Sequence, residues 1–469
     1  MQTNNKINSV WYLAIVCFVA SLGGLLFGFD TAVISGTFGF VEKQFALSKL
    51  MVGWFGSSAL VGSILGALIA GALSDKYGRK PILIIAGVFF FISALGSTIP
   101  PTFFILIVAR LIGGIGVGIA SVLAPLYISE FAPPKVRGRL VALYQLSLVI
   151  GILLAYFSNW ALLNFSENFA GTVDGNLFYK VFVGEVWRGM FGAEMIPAFL
   201  FTVLLFIVPE SPRWLIKAGF EEKGFAILSK ISRDEIAKYE LKEIKNAIEQ
   251  EEGTLVELIK PGLRLALIVG IGLSFFGQFT GVNVVIYYGP TILKNAGFQL
   301  GNALQFQVAI GIINFIFTII AIWKIDKWGR RPLLIGGMSA TFISLFIIAL
   351  QFTLGVASGI WIVIMLCIYM ASLAISINAV IFVLIGEIFP NRVRGRAMSI
   401  ATFTNWGTNF TIAFIFPWFV STIGMNAGFF TFAAMCLIST IFFYKYVPET
   451  KGKSLEEIEK YWKEKGKNN

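Results

Sequence analysis

The chain has 469 residues, of which 57% are hydrophobic and 13% charged, and its formal net charge is +11. A soluble core of this size does not need so much apolar surface, so the composition excludes an ordinary soluble protein and indicates that lipid is the main solvent. The chain contains no histidine, which excludes a histidine metal site and a histidine proton relay.

Twelve apolar runs are long enough to cross a bilayer, since a spanning helix takes about 20 residues. The first run is too long and too rich in glycine to be a cleaved signal peptide. Helices satisfy their own backbone hydrogen bonds, as lipid requires. The sequence therefore predicts an all-α membrane protein with twelve transmembrane helices, near 10–34, 52–73, 81–99, 102–129, 139–161, 188–208, 264–287, 303–325, 332–353, 359–386, 397–421 and 427–447.

Three ionisable side chains, Asp30, Arg110 and Glu194, lie inside these runs. Each is a functional candidate by default, because a charge within the membrane is costly. If the first and fourth helices pack together, Asp30 and Arg110 can pair, and the carboxylate could take up a proton on one side and release it on the other. The alternative is a static ion pair that only joins two helices. We favour proton coupling, because static buried pairs add little to stability.

Small residues also recur at helical spacing in two of the runs. Gly62, Gly66 and Gly71 lie in the second run, and Gly114 and Gly118 lie in the fourth. Such spacing predicts helices that approach closely, and it carries no information about a substrate.

A charged pattern occurs twice, about half the chain apart. Residues 75–80 read Asp-Lys-Tyr-Gly-Arg-Lys, and 326–331 read Asp-Lys-Trp-Gly-Arg-Arg. This duplication is typical of transporters built from two symmetry-related halves. We expect a charge network that gates the cytoplasmic face, with interfacial snorkelling as the alternative. Its members would be Asp75, Arg79, Glu130, Arg137, Asp326, Arg330, Glu387 and Arg394.

Residues 209–262 interrupt the hydrophobic pattern. They carry Lys and Glu at helical spacing together with an apolar stripe, which predicts short amphipathic helices. We favour a structural role for this segment over a latch across the two halves. The predicted organisation is an N-terminal six-helix half at 1–208, a cytoplasmic linker at 209–262, a C-terminal six-helix half at 263–447 and a cytoplasmic tail at 448–469.

The positive charge alternates between loops. Lysines and arginines concentrate in alternate short loops, so the positive-inside rule places both termini and the linker in the cytoplasm of a multi-pass plasma (inner) membrane protein. Nucleic-acid binding is disfavoured, because the charge is dispersed over loops rather than clustered on one folded face.

Amide side chains are scattered through several predicted spans. Amides both donate and accept hydrogen bonds, which suits a ligand with many hydroxyl groups, and Trp406 could cover the apolar face of a sugar ring. Any one amide alone would more often join two helices. Together they predict a cavity for an uncharged polyol, formed by Gln145, Gln278, Asn283, Asn314, Asn378, Asn405 and Asn409.

Several motifs resemble one known family. Residues 23–30 read Gly-Gly-Leu-Leu-Phe-Gly-Phe-Asp, 209–215 read Pro-Glu-Ser-Pro-Arg-Trp-Leu, 278–283 read Gln-Phe-Thr-Gly-Val-Asn, and 448–452 read Pro-Glu-Thr-Lys-Gly. With the duplicated loops, these resemble the sugar porter family of the major facilitator superfamily, and its bacterial sugar–proton symporters in particular. The likeness runs from about residue 22 to 452.

The resemblance implies a twelve-helix fold that works by alternating access. It implies proton coupling by Asp30, Arg110 and Glu194; facilitative members usually have Asn at the first of these positions. Phe27 and Tyr288 match residues that close over the sugar. The family's sugar contacts map onto Gln145, Gln278, Asn283, Asn314, Asn405 and Trp406.

The chain departs from the family in three places near the expected sugar site. Gly277 stands where the seventh helix usually has a first glutamine, and Phe382 stands where the tenth helix usually has tryptophan. Residues 376–379, Ser-Ile-Asn-Ala, replace a stretch rich in glycine and proline. Sugar transport is still predicted, but the particular sugar is left open.

The leading interpretation is proton-coupled import of a monosaccharide. The runner-up is a facilitative uniporter in which Asp30 is only structural, and a third interpretation is a sugar sensor that does not transport. The chain has no nucleophile–base set and no nucleotide-binding loop, so we expect no enzyme activity and no cofactor. We expect it to act as a monomer in the lipid bilayer, with a monosaccharide and a proton as its substrates.

Overall fold

The computed structural model describes residues 2–133, 136–169, 176–232, 234–249, 255–260, 262–356, 359–453 and 455–467. Within these ranges the chain forms helices and no strands. The chain divides into two compact units, Met1–Val41 with Ser58–Gln250, and Glu42–Ser57 with Glu251–Asn469.

The first unit holds the early spans and most of the linker. Its boundaries fall within α2 and α3. The helices from the N-terminus to the end of this unit are α1 (Gln2–Val33), α2 (Phe38–Gln44), α3 (Lys49–Tyr77), α4 (Arg79–Thr98), α5 (Phe103–Phe131), α6 (Arg137–Glu167), α7 (Leu177–Tyr179), α8 (Val186–Gly192), α9 (Met195–Ile207), α10 (Pro212–Lys217), α11 (Glu221–Ile231) and α12 (Asp234–Glu249).

The second unit holds the later spans and the tail. Its helices are α13 (Leu255–Ile259), α14 (Arg264–Phe279), α15 (Val282–Asn295), α16 (Leu300–Trp328), α17 (Arg330–Thr353), α18 (Ile360–Ile375), α19 (Ile377–Ile388), α20 (Asn391–Ile423), α21 (Met425–Tyr446) and α22 (Leu455–Lys467).

Eleven helical segments within the described ranges are long and apolar enough to span a membrane, with α8–α9, α14–α15 and α18–α19 each counting as one. The remaining predicted span, 397–421, lies inside α20. This helix is 33 residues long, but Thr and Asn side chains such as Asn405 and Asn409 lower its mean hydropathy. The predicted span that falls short of the others in mean hydropathy is thus one that we expect to carry ligand-binding amides.

Close helix packing follows the small residues, as predicted. A Cβ on Gly114 would lie 2.0 Å from the carbonyl oxygen of Ala59, and a Cβ on Gly118 would lie 2.2 Å from that of Ser63. Helices α3 and α5 therefore touch backbone to backbone at these positions. Gly71 is the exception, because a Cβ there would meet nothing within 4 Å.

The linker forms the predicted amphipathic helices. Ile216 of α10, Leu228 of α11 and Ala237 of α12 are buried against one another, and Phe225 and Leu241 pack around them. The apolar stripe thus forms a small separate core on the first unit, while the charged faces of α11 and α12 remain exposed.

Three spans are broken within the apolar region. The α8–α9 span breaks at Ala193 and Glu194, and the α14–α15 span breaks at Gly281, whose φ of +79° suits glycine. The α18–α19 span breaks at Ser376 although no proline or glycine is present. Broken helices expose backbone polar groups, and in membrane proteins such backbone is tolerated only inside protein or along a cavity.

Candidate functional site

The first unit places Asp30, Arg110 and Glu194 together. Asp30 lies on α1, Arg110 lies on α5 and Glu194 begins α9; their exposed fractions are 1%, 2% and 1%. Arg110 Nη1 donates to Asp30 Oδ1 at 2.5 Å, and Arg110 Nη2 lies 3.4 Å from the backbone oxygen of Asp30. The aspartate therefore faces the interior of the unit rather than the lipid.

Gly113 leaves space beside the Asp30–Arg110 pair. A Cβ on Gly113 would lie 2.3 Å from Ser93 Oγ and 3.6 Å from Asp30 Oδ1, so even a methyl group would clash with Ser93 and touch Asp30. The Arg110 guanidinium also lies over the ring of Phe191, 5.4 Å from its centroid. Packing thus fixes the orientation of the arginine.

Glu194 is positioned by the break in its span. Pro197 has no N–H to donate to the carbonyl of Ala193, so the helical ladder is interrupted there and a new helix begins at Met195. Glu194 Oε1 is buried and has no hydrogen-bond partner in the part of the chain that the structure describes, and the charges of Asp30 and Arg110 both act on its carboxyl. Within the same ranges, Arg110 Nε is also buried without a hydrogen-bond partner.

This cluster has two carboxyls and one guanidinium. One cation can balance one carboxylate, so ionisation of both acids leaves an uncompensated negative charge in a buried site. A single proton bound to either carboxyl restores neutrality. The arrangement is therefore chemically suited to binding and releasing one proton.

The other two predicted ligand residues of the first unit lie on α1 and α6. Phe27 and Gln145 are both half-buried. Helices α1 and α6 touch closely, since a Cβ on Gly28 would lie 1.9 Å from the carbonyl oxygen of Leu148. Phe27 is therefore near Asp30 along α1, and Gln145 lies on the helix packed against it.

The second unit gathers its amides around the break between α14 and α15. Asn283 Nδ2 donates to Gln278 Oε1 at 2.7 Å across this break. The hydroxyl of Thr280 donates to the backbone oxygen of Gly277 at 2.7 Å, and the Tyr369 hydroxyl donates to that of Thr280 at 2.8 Å. Side chains and a neighbouring helix thus satisfy carbonyls that the break leaves free.

Helix α20 contributes a second polar row. Asn409 Nδ2 donates to the Tyr287 hydroxyl at 3.2 Å, and the Tyr288 hydroxyl donates to the backbone oxygen of Ala413 at 2.9 Å. Trp406 is 7% exposed on the same helix, one residue after the half-buried Asn405. Helix α15 is therefore held on α20 through both of its tyrosines.

Among the amides predicted to bind sugar, Asn314 has a buried acceptor that is not satisfied within the described ranges. It is 5% exposed on α16, and its Oδ1 is buried with no hydrogen-bond partner among the residues that the structure describes. A buried acceptor without a donor is costly, so the site gains when a ligand hydroxyl supplies one. Asn378 is half-buried at the start of α19, whereas Phe382 is 47% exposed.

The duplicated loops form two similar charge networks, one in each unit. In the first, Arg79 Nε and Nη2 donate to Glu130 at 3.1–3.2 Å, and its Nη1 donates to Asp75 Oδ1 at 2.9 Å. In the second, Arg330 donates to Glu387 at 2.9–3.2 Å and pairs with Asp326 at 3.1 Å.

Two further predicted members hydrogen-bond to backbone oxygens. Arg137 Nε donates to the backbone oxygen of Ala132 at 3.2 Å, and Arg394 Nη2 lies 3.4 Å from the backbone oxygen of Phe389. Both arginines therefore hold the chain that turns from one helix into the next, five residues upstream of themselves.

Sequence reasoning missed Glu210 and Glu449 as parts of these networks. Glu210 accepts the backbone N–H groups of Arg79 and Lys80 at 3.0–3.3 Å. Glu449 accepts those of Arg330 and Arg331, both at 3.1 Å. Each glutamate follows the last span of its half within a Pro-Glu-Ser/Thr sequence, and this repetition was the signal that could have identified them.

The two glutamates differ in pKa. Burial raises the pKa of Glu210, and hydrogen bonds from the backbone of Ser211, Lys80 and Arg79 only partly offset it. Burial also acts to raise the pKa of Glu449, but it is less buried, and backbone hydrogen bonds, led by that from Lys451, together hold its pKa below the usual value.

A chain of apolar spanning helices with a buried ionisable cluster and amides at helix breaks defines a class, the membrane transport proteins. Comparison with known proteins supplies the family. The chain belongs to the Sugar (and other) transporter family, whose sequence profile matches residues 16–462. This is a family of transporters and not of enzymes.

Two similar proteins are proton symporters by name. The chain is 40% identical to the arabinose-proton symporter of Bacillus subtilis (strain 168), covering 97% of this chain and 96% of that protein. It is 37% identical to the D-xylose-proton symporter of Escherichia coli (strain K12), covering 98% and 97%. It is also 38% identical to the glucose transport protein of Synechocystis sp., covering 96% and 97%.

Solved structures agree with the predicted fold. The inward open conformation of the xylose transporter XylE from E. coli matches with a TM-score of 0.82 and 36% identity, covering 96% of this chain and 100% of that one. The chain therefore has the twelve-helix major facilitator fold that its sequence predicted.

Proposed function

We propose that this protein is a proton-coupled monosaccharide symporter that imports sugar by alternating access. The observation that carries the proposal is the buried cluster of Asp30, Arg110 and Glu194, which holds two acids and one guanidinium and in which one carboxylate oxygen has no hydrogen-bond partner among the described residues. The similar proteins named as arabinose- and xylose-proton symporters support it.

In the proposed mechanism, a proton binds to the cluster from the outside. Protonation of Asp30 weakens its attraction to Arg110 and removes the excess negative charge, so the cluster is neutral while the transporter changes conformation. Contact with the cytoplasm then favours release of the proton, because water stabilises the charged carboxylate. The proton gradient thereby drives sugar accumulation.

The sugar would be bound by aromatic and amide side chains. The unpartnered oxygen of Asn314 and the Gln278–Asn283 pair at the α14–α15 break support this assignment in the second unit. We propose that the sugar is contacted by Phe27, Gln145, Gln278, Asn283, Tyr288, Asn314, Phe382, Asn405 and Trp406.

The proposed setting is the plasma membrane, with the protein acting as a monomer and with both termini in the cytoplasm. The positive-inside rule puts the duplicated loops on the cytoplasmic side. There the networks centred on Arg79 and Arg330 would hold that face closed until sugar and proton are bound. Their matching contacts in the two units support a gating role.

A facilitative uniporter is the second candidate. The 2.5 Å contact between Arg110 and Asp30 is what a static buried ion pair would also show. The similar Synechocystis protein is named simply as a glucose transport protein. In this alternative Asp30 would join α1 to α5 and would not titrate during transport.

Uptake into proteoliposomes with and without an imposed proton gradient separates the two. With radiolabelled xylose, arabinose and glucose, the native protein should concentrate at least one sugar. Asp30→Asn should keep sugar exchange but lose accumulation, whereas the exposed control Asp234→Asn should retain both. Accumulation by Asp30→Asn equal to that of the native protein would contradict proton coupling at this residue.

A further inference from the structure

The cytoplasmic end of α16 carries an aromatic and basic group that the transport mechanism does not use. Trp323 and Trp328 are 66% and 51% exposed, and Lys324 Nζ lies 4.8 Å and 5.4 Å from their ring centroids. Lys327 Nζ lies 5.4 Å from the ring centroid of Trp323. Two large rings and two ammonium groups thus form one exposed patch.

This patch borders a cavity of about 550 Å³ between the end of α16 and the start of α17. Trp328 and Lys327 stand on the α16 side, and Pro332, Gly336 and Gly337 belong to α17. Gly336 is exposed, and a Cβ there would meet nothing within 4 Å. Gly336 therefore adds no side chain to the wall of the cavity, and Lys327 lies beside it.

The cavity lies at the end of an apolar surface. On α16, the exposed side chains Ile312, Ile316 and Ile319 precede Trp323 at helical spacing, so all four share one face. An exposed apolar face on a spanning helix meets lipid, and tryptophan and lysine at its end mark the interface with water. One face thus offers room for acyl chains and then, at its end, for a charged headgroup.

The positive charge of Lys324 and Lys327 can act on a ligand, because the adjacent carboxylate is paired with another residue. Asp326 is the nearest carboxylate along the chain, and it pairs with Arg330 at 3.1 Å. Lys451 Nζ donates to the backbone oxygen of Lys327 at 2.6 Å, which brings a third ammonium group to the same helix end. The described residues at this edge therefore present net positive charge.

The other half of the protein supplies an internal comparison. When Asp75 is aligned with Asp326, Trp323 and Lys324 correspond to Ala72 and Leu73, and residues 336 and 337 correspond to Ile85 and Ala86. The first unit keeps the charge network without these residues. The duplicated network therefore does not require the patch, which calls for a separate explanation.

We propose that the patch and cavity bind an anionic phospholipid of the inner leaflet. The phosphate would lie on Lys324 and Lys327 between the two indole rings, and an acyl chain would run over Gly336 along the lipid-facing stripe. Cationic side chains at this depth attract anionic lipids. The proposal uses the cytoplasmic placement of the α16–α17 loop and is otherwise independent of the sugar and the proton.

Native mass spectrometry of the purified full-length protein tests this, with dioleoylphosphatidylglycerol as the probe and dioleoylphosphatidylcholine for comparison. The native protein should retain the anionic lipid preferentially. Lys324→Gln with Lys327→Gln should weaken binding by about fivefold for each lysine removed. Lys76 is the residue of the first unit that corresponds to Lys327, and the control variant Lys76→Gln should bind the lipid like the native protein.

A second variant tests the cavity without altering the charge. Gly336→Ile installs the residue found at position 85, and the open space over Gly336 accepts it. Its thermal midpoint should be unchanged and its lipid retention reduced. Retention equal to that of the native protein would overturn the site, because surface charge alone would then explain binding.

Two further outcomes would also overturn the proposal. Equal retention of phosphatidylcholine would mean that the site does not distinguish an anionic headgroup from a zwitterionic one. Displacement of the lipid by millimolar inorganic phosphate would identify a site for a free anion rather than for a lipid.

Discussion

The carboxylate of Glu449 accepts the backbone N–H of Arg330 at 3.1 Å and thereby caps the first turn of α17. The backbone N–H groups at a helix N-terminus have no partner within the helix, and the helix dipole favours a negative charge there. Glu210 does the same for α4 in the other unit. A residue after the last span of each half therefore fixes the start of that half's third spanning helix.

The two caps should respond to pH in opposite directions. The pKa of Glu449 lies below its ordinary value of 4.5 in the folded protein, so its stabilising contribution is present above pH 4.5 and is lost as the pH falls through the folded pKa. Glu449→Gln should cost about 1 kcal/mol at pH 7 and less at pH 4. Thermal unfolding midpoints of the native protein and the variant at both pH values measure the difference.

Glu210 supplies the contrasting case. Its folded pKa is raised above 4.5, so folding favours its protonated form, and the resulting stability is present below pH 4.5 and is lost as the pH rises through the folded pKa. Relative to Glu210→Gln, the native protein should therefore gain stability on acidification, opposite to the comparison at Glu449. The same sign for both glutamates would show that their environments do not differ as described.

The buried pair of Asp30 and Arg110 should be strongly coupled. Removing one partner leaves the other charge buried and unbalanced, which costs about 3–5 kcal/mol. Arg110→Gln alone should therefore destabilise the protein strongly, and Asp30→Asn with Arg110→Gln should recover part of the loss. A double-mutant cycle on unfolding midpoints checks this.

The exposed pair of Lys49 and Glu42 is the matched control for that cycle, because both of its side chains reach solvent. Its coupling should be at most about 1 kcal/mol. If the two cycles gave equal coupling energies, burial would not be what makes the Asp30–Arg110 contact strong.

The sequence predicted pairing correctly where a charged side chain stands in an apolar run. A charge in an apolar run needs a partner, so Asp30 and Arg110 could be paired before their helices were located. Glu210 and Glu449 lie outside the spans, where a carboxylate needs no explanation, and only the fold shows which backbone they cap. The form of the break at Ser376 could not be predicted either, because no glycine or proline marks it; the α17 backbone at Gly337 packs closely against Ser376 there.

The amide pair at the α14–α15 break should determine sugar affinity. Gln278 and Asn283 are joined at 2.7 Å, so Asn283→Ala removes a possible sugar ligand and also frees the side chain of Gln278. A lost hydrogen bond to a neutral ligand is worth about 1 kcal/mol, so sugar affinity should fall by about fivefold or more. Isothermal titration calorimetry with the transported sugar measures the change.

The control lies on the same helix. Asn295 is exposed at the end of α15, and its side chain donates to the backbone oxygen of Thr291 at 3.0 Å. Asn295→Ala should therefore bind sugar like the native protein. A comparable loss in both variants would indicate a general effect on α15 rather than a contact with sugar.

Two adjacent glycines on α17 should differ sharply in their tolerance of a methyl group. A Cβ on Gly337 would lie 2.2 Å from Ser376 Cβ, at the break between α18 and α19, whereas a Cβ on Gly336 would meet nothing within 4 Å. Overpacking of this kind costs about 1–3 kcal/mol, so Gly337→Ala should lower the unfolding midpoint and Gly336→Ala should not. Adding Ser376→Gly to Gly337→Ala removes the two Ser376 atoms that the methyl group would meet but leaves the backbone oxygen of Ser372 at 2.9 Å, so it should restore part of the stability. If the double variant were no more stable than Gly337→Ala alone, the contact between these helices would not be what sets the position of the break.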